Sequence, residues 1–148
     1  MKFALCNEIF RTLPLEDAFQ KIADIGYEGV EVAPFTLQTN PRDLSESDAD
    51  RCRTAAEKVG LAVVGLHWLM AETEGLHLTH SDPAILEVTK EYLIKLSQLT
   101  ARMNGSILVL GSPQQRNLLP GVSYEEAFER AVSLIQEVCR EIEGDGVV

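Results

Sequence analysis

The stretch that decides the fold runs from residue 107 to residue 116 and reads Ile107-Leu108-Val109-Leu110-Gly111-Ser112-Pro113-Gln114-Gln115-Arg116. Its apolar start is too short for a helix and is typical of a strand that is buried on both faces of a parallel sheet. Gly111 and Pro113 then end the strand, and a hydroxyl, two amides and a guanidinium surround the break. Such groups bind oxygen-rich or anionic ligands, so the sequence predicts a ligand site at the carboxyl end of this strand.

Similar strand and helix patterns lie on either side of this stretch. Apolar runs predict strands at 2–6, 29–33 and 62–66, each followed by a helical pattern. Pro14, Ser45, Asp82 and Ser123 mark the helix starts, because they are capping residues or a first-turn proline. Residues 144–148 resemble the beginning of a fifth strand.

Four strand and helix units in strict alternation predict an α/β fold with parallel strands and right-handed crossovers. The turn after Cys6 has no glycine-rich phosphate-binding motif, which disfavours a doubly wound nucleotide-binding domain. Polar residues instead follow several strands in turn, as in a (β/α)₈ barrel. Such a barrel usually takes ~250 residues. We therefore expect residues 1–148 to form a single domain, a natural or truncated half-barrel.

Composition narrows the classes of function. The formal net charge of −10 disfavours nucleic-acid binding, and no apolar run approaches the length of a membrane span. The first residues lack the pattern of a signal peptide, so we expect a cytoplasmic protein without a membrane partner. Cys6, Cys52 and Cys139 form no Cys-x-x-Cys motif, which predicts reduced thiols rather than disulfides or structural zinc.

Taken together, several segments carry a family likeness. The chain resembles the amino-terminal half of a xylose isomerase-like TIM barrel of the sugar phosphate isomerase/epimerase group, and the matching pieces are 29–33, 65–69, 75–79, 110–113 and 115–116. The resemblance implies an isomerase or epimerase that uses a divalent metal (Mg²⁺, Mn²⁺ or Zn²⁺), with carboxylates moving a proton at carbon. It also implies that the metal ligands, including paired glutamates, lie on strands five to eight. We therefore expect this chain alone to bind no metal and to lack activity.

Four candidate substrate-binding residues lie at the ends of the first three strands. Glu31 interrupts an apolar strand, so it either contacts a ligand or pairs with a cation. The resemblance makes His67 a substrate-side or metal-side group and a candidate catalytic residue, and the alternative is a hydrogen-bonded core histidine. Trp68 either forms a wall of a sugar pocket or belongs to the core. Asn7 either binds a hydroxyl or stabilises the turn after the first strand.

Ser112, Gln115 and Arg116 form the strongest candidate cluster for substrate binding. Arg116 suits a phosphate or carboxylate, and the alternative is a clamp between a loop and an acidic side chain. His77 and His80 have the spacing of a metal pair, but no third ligand is close in sequence, so we interpret them as loop residues.

Three hypotheses for function follow. The first is that the chain is the substrate-binding half of a sugar or sugar phosphate isomerase or epimerase. The second is that it is a non-catalytic half-barrel that forms homo-oligomers, or binds a partner, through the exposed edges of its sheet. A remote third is an AP endonuclease, which the Gly111-Ser112-Pro113 segment and the negative charge both disfavour.

Overall fold

The computed structural model describes all residues from Met1 to Val148 and contains four parallel strands that alternate with four long helices. The strands pair in the order β1-β2-β3-β4, so the predicted parallel α/β architecture is confirmed. Short 3-10 turns follow β1, β2 and β4 at the carboxyl edge of the sheet. The elements are β1 Ala4–Cys6, α1 Leu15–Ile25, β2 Gly29–Val32, α2 Glu46–Lys58, β3 Ala62–His67, α3 Pro83–Arg102, β4 Ile107–Val109 and α4 Tyr124–Ile142.

The helices begin where the capping signals predict. Ser45 and Ser123 each form a capping box with the acidic residue three positions later. The carboxylate of Asp82 accepts a hydrogen bond from the backbone of Ala84, and Pro83 occupies the first helical position of α3. These contacts satisfy backbone donors that have no partner inside the helix.

The main core lies between the sheet and the helices. Phe19 and Ile22 of α1, Leu66 of β3 and Leu96 of α3 are all fully buried there. Alternate residues of a strand point to opposite faces, and in β2 the fully buried Val30 and Val32 flank the part-exposed Glu31. Glu31 is therefore directed away from the helix-covered face.

The structure corrects the expectation that the strand after residue 106 is buried on both faces. Ile107 remains 38% exposed and the rest of β4 is half-buried, because β4 is the last strand of the sheet. β3 is also longer than predicted, since it includes His67 as its last residue.

Residues 144–148 do not form the predicted fifth strand. Residues 143–146 form a turn, and only Val148 pairs with the sheet. Its N–H donates to the carbonyl of Ser106 at 2.9 Å, and its carbonyl accepts from the N–H of Leu108 at 2.7 Å. These two bonds flank Ile107 as one step of a parallel ladder does, so this edge of β4 is partly covered by the chain itself.

None of the helices is both long enough and apolar enough to cross a bilayer.

Candidate functional site

A cavity of about 420 Å³ opens at the carboxyl edge of the sheet, between the loops that follow β1, β2, β3 and β4. Ligands of parallel α/β folds bind at this edge, because the loops there are free to vary on a rigid sheet. The cavity combines aromatic, charged and amide groups: its walls include Phe35, Trp68, Arg11, Glu72, Ser112 and Gln115.

Glu31 and His67 form a pair on neighbouring strands, and His67 is next in sequence to the loop residue Trp68, which lines this cavity. Nδ1 of the imidazole lies 3.2 Å from Oε2 of Glu31, but the direction of approach does not make a hydrogen bond. This buried nitrogen therefore has no partner, although both side chains remain partly exposed, at 27% and 31%. A buried polar atom without a partner is uncommon in folded proteins and calls for a specific explanation.

Trp68 follows His67 directly and leads the chain out of the sheet. Its φ angle is +59°, a left-handed conformation that is strained for a residue with a large side chain. Glu72, four residues later in the same loop, also has a left-handed φ of +58°. Both residues line the cavity, so the two strained backbone positions of this loop coincide with the candidate site.

Ser112 fixes the loop that carries Trp68. Its hydroxyl, which is 1% exposed, accepts a hydrogen bond of 2.9 Å from the backbone N–H of Met70. The phenol of Tyr92 donates to the carbonyl of Leu69 at 2.8 Å, and burial raises the pKa of this phenol well above its usual range. These two contacts fix the carbonyl and the N–H of the peptide bond between Leu69 and Met70, just after Trp68.

The predicted cluster of Ser112, Gln115 and Arg116 is divided by the structure. Ser112 and Gln115 line the cavity, and the carbonyl of Gln115 also accepts a bond of 2.8 Å from the N–H of Leu78. Arg116 instead lines a separate apolar groove along α4, where it forms no salt bridge. Its role as an anion contact stays a prediction.

Asn7 lies at the end of β1, and its side chain joins β1 to the segment after β2. Its amide oxygen accepts from the N–H of Ala33 at 3.0 Å, and its amide nitrogen donates to the hydroxyl of Thr36 at 2.8 Å. The residue is only 2% exposed. These contacts give Asn7 a structural task, which is the alternative to hydroxyl binding.

His77 and His80 do not form a metal pair in the structure. Nε2 of His77 lies 2.9 Å from the side-chain oxygen of Asn117, and its Nδ1 accepts from the N–H of Thr79 at 3.2 Å. Nδ1 of His80 accepts from the N–H of Asp82. Both rings therefore stabilise the loop before α3.

The cavity also contains residues that sequence reasoning missed. Nη2 of Arg11 lies 2.9 and 3.1 Å from the two carboxylate oxygens of Glu72, and its guanidinium lies 5.0 Å from the centre of the Phe35 ring. No local pattern connects residues that are 61 positions apart. Only the position of Phe35 just after a predicted strand could have indicated it.

The residues of this chain do not fit a metal site by themselves. Glu31 and His67 offer two donors, and no group of three or more His, Cys, Asp or Glu side chains converges anywhere in the structure. Protein-bound zinc usually has at least three protein ligands.

The chain belongs to the xylose isomerase-like TIM barrel family, whose model matches residues 19–148. It is similar to a D-psicose 3-epimerase solved in the presence of D-fructose (TM-score 0.76, 16% identity, 99% of this chain and 50% of that one). It is also similar to D-psicose 3-epimerase with D-tagatose from Clostridium cellulolyticum H10 (TM-score 0.75, 18% identity, 99% and 50% covered). A third similar structure is the 3-keto-D-glucoside 4-epimerase of E. coli (TM-score 0.73, 14% identity, 100% and 54% covered).

At these identities the structural matches establish the fold, and the predicted half-barrel and family resemblance are confirmed. The chain spans about half the length of the solved structures that it matches, 43% of one and 50% of two others. A comparison with curated protein sequences gives no match.

Proposed function

We propose that this chain is the substrate-binding half of a sugar isomerase or epimerase, with the sugar bound at the carboxyl edge of β1 to β4. The observation that carries the proposal is the buried Nδ1 of His67, which has no partner and lies beside the carboxylate of Glu31. A hydroxyl has one hydrogen to donate, so one sugar hydroxyl can donate to Nδ1 of His67 and a neighbouring hydroxyl of the same sugar to the carboxylate of Glu31.

The cavity at this edge supplies the other contacts that a sugar needs. The face of Trp68 packs against the apolar C–H surface of a sugar ring, and the amides of Gln114 and Gln115 can bond to its hydroxyls. Ser112 and Tyr92 already hold the backbone of the loop that carries Trp68, so this wall of the cavity needs little reordering when the sugar binds. The metal chemistry that the resemblance implies requires ligands from elsewhere, so for this chain we propose binding and orientation of the sugar only.

Trp68 provides a direct test because it is the only tryptophan of the chain. Its fluorescence should change saturably when D-fructose, D-tagatose or D-allulose is added to the purified protein. His67→Ala should weaken the apparent affinity about tenfold, since it removes the Nδ1 acceptor of the sugar hydroxyl. His80→Ala is the matched control, because that imidazole lies outside the cavity, where it accepts from the N–H of Asp82 and packs beside the ring of His77.

A folded protein that gives no saturable change with any of these sugars contradicts the proposal. Equal effects of His67→Ala and His80→Ala on the affinity for the sugar also contradict it.

An apolar surface supports a second candidate function, that of a half-barrel that assembles with another copy of the chain. Tyr124 and Phe128 of α4 are 63% and 56% exposed, and their rings stack at a centroid distance of 6.0 Å. Together with Leu118 and Val132 they line a groove of about 510 Å³, the α4 groove. Exposed apolar patches of this kind mark interaction surfaces.

Light scattering tests the assembly. The wild-type chain should form dimers or larger species, and Phe128→Glu should shift it towards the monomer because a charge enters the α4 groove. Ile25→Glu is the control, since Ile25 is 60% exposed on α1, away from this groove. A monodisperse wild-type monomer contradicts this candidate.

A further inference from the structure

One ion pair spans the cavity at the carboxyl edge, and its charges cancel, so Glu8 is the unbalanced charge of the lining. Arg11, in the loop after β1, meets Glu72, in the loop after β3, through two contacts of Nη2 at 2.9 and 3.1 Å. Arg11 is the only cationic residue that lines the cavity, and Glu8 and Glu72 are the only anionic ones. The lining therefore carries a formal charge of −1.

The pair neutralises the cation but leaves part of its hydrogen-bonding capacity open. Both carboxylate oxygens of Glu72 approach the same nitrogen, Nη2, and the side chain of Arg11 makes no other hydrogen bond. Phe35 covers the guanidinium at 5.0 Å from its ring centre. The remaining N–H groups stay open to a ligand, since Glu72 and Phe35 contact only part of the guanidinium and the Arg11 side chain is 54% exposed.

The charge and the free N–H groups of this cavity suit a neutral sugar better than a sugar phosphate. A neutral sugar offers hydroxyl oxygens that accept from the free N–H groups of Arg11, and it introduces no charge. A sugar phosphate brings a negatively charged group to a lining that is already negative, and Glu72 already neutralises the positive charge of the one guanidinium that would attract it.

We propose that the Arg11–Glu72 pair makes this cavity select neutral sugars and reject sugar phosphates. The inference rests on the proposed function, because it assigns a substrate class to the same cavity. Arg11 and Glu72 are thus specificity-determining residues, and Phe35 is a positioning residue that acts through Arg11.

Glu72→Gln is the decisive variant. Glutamine keeps the length of the side chain, removes one negative charge and frees Arg11 for an anion. Glu74→Gln is the matched control: it removes the same charge from the same exposed loop, but Glu74 does not line the cavity and its side chain makes no salt bridge or hydrogen bond. Circular dichroism should show that both variants are folded.

The experiment compares D-fructose with D-fructose 6-phosphate by Trp68 fluorescence at one low ionic strength, where charge effects are least screened. In the wild type we expect the phosphate to bind about tenfold more weakly than the free sugar, and Glu72→Gln should tighten phosphate binding about tenfold. The affinity for D-fructose should change by less than about twofold in Glu74→Gln, which lies outside the cavity.

The failures of the two proposals are distinguishable. If the wild type binds D-fructose but binds its 6-phosphate equally well or better, the selectivity inference is wrong and the proposed function stands. Equal effects of Glu72→Gln and Glu74→Gln on phosphate binding also overturn the inference. If neither sugar binds to the folded wild type, the proposed function itself fails.

Discussion

The imidazole of His67 and the carboxylate of Glu31 lie 3.2 Å apart on neighbouring strands, yet the buried Nδ1 of the imidazole has no hydrogen-bond partner. Leaving a buried polar atom unsatisfied costs roughly 1–3 kcal/mol, so His67 lowers the free energy of unfolding of the protein. Such a cost is expected at a binding site, and it is the reason for which we propose that role for His67.

His67→Leu should therefore raise the free energy of unfolding by about 1 kcal/mol while it abolishes the sugar-dependent fluorescence change, because an apolar side chain of similar size removes the unsatisfied atom. Urea unfolding and the fluorescence titration measure the two effects. His77→Leu is the control and should destabilise the protein, since both nitrogens of His77 have partners. Destabilisation by His67→Leu as large as that by His77→Leu would contradict the interpretation of His67.

Ser112→Ala should lower the free energy of unfolding by about 1–2 kcal/mol, because it leaves the buried N–H of Met70 without an acceptor. It should also weaken sugar binding, since Met70 belongs to the loop that positions Trp68. Chemical unfolding and fluorescence titration check these effects. Ser81→Ala should change neither, because Ser81 is exposed and its hydroxyl has no partner. Unchanged stability in Ser112→Ala would show that this hydrogen bond does not hold the loop.

Gly65→Ala should destabilise the chain by about 3 kcal/mol or more, since a Cβ atom at this position would overlap the backbone oxygen of Ile107 and would force β3 and β4 apart. Thermal unfolding measures the loss. Gly144→Ala is the matched substitution: the added methyl group would meet no atom within 4 Å, so its effect should be small. Similar melting temperatures for the two variants would contradict the close approach of the strands.

The three cysteines should differ in their reaction with iodoacetamide at neutral pH. Burial, with smaller contributions from the charges of Glu8 and Glu31, raises the pKa of the Cys6 thiol to about 11, and burial raises that of Cys52 to about 12. The thiolate is the reactive form, so labelling of Cys6 should increase only as the pH rises towards 11. Cys139 is exposed and should react first. Mass spectrometry of peptides gives the order, and rapid labelling of Cys6 at pH 7 would contradict its burial.

The fold was largely predictable from the sequence because its signals are local. Apolar runs and helix caps such as Ser45, Asp82 and Ser123 lie within a few residues of the elements that they determine. The sequence predictions were wrong where the environment of a residue depends on residues outside its own element. The exposure of Ile107 depends on β4 being the last strand, and the pairing of Val148 depends on the turn before it.

The candidate site was predictable only in part. Glu31 and His67 could be selected because charged or polar groups at strand ends point to a site, but the missing bond between them depends on side-chain directions. Arg116 was placed beside Ser112 by sequence proximity, and the 3-10 turn between them turns it towards α4 instead. The pairing of Arg11 with Glu72 joins distant segments and has no sequence signal.

The order of the strands also bears on how the chain is made. Every strand pairs with the strand that precedes it in sequence, so each new strand and helix can dock on a completed neighbour while later residues are still being synthesised. Val148 adds one backbone pair at the outer edge of this order, beside Ile107. Folding of this chain on the ribosome can thus proceed in the direction of translation, one unit at a time.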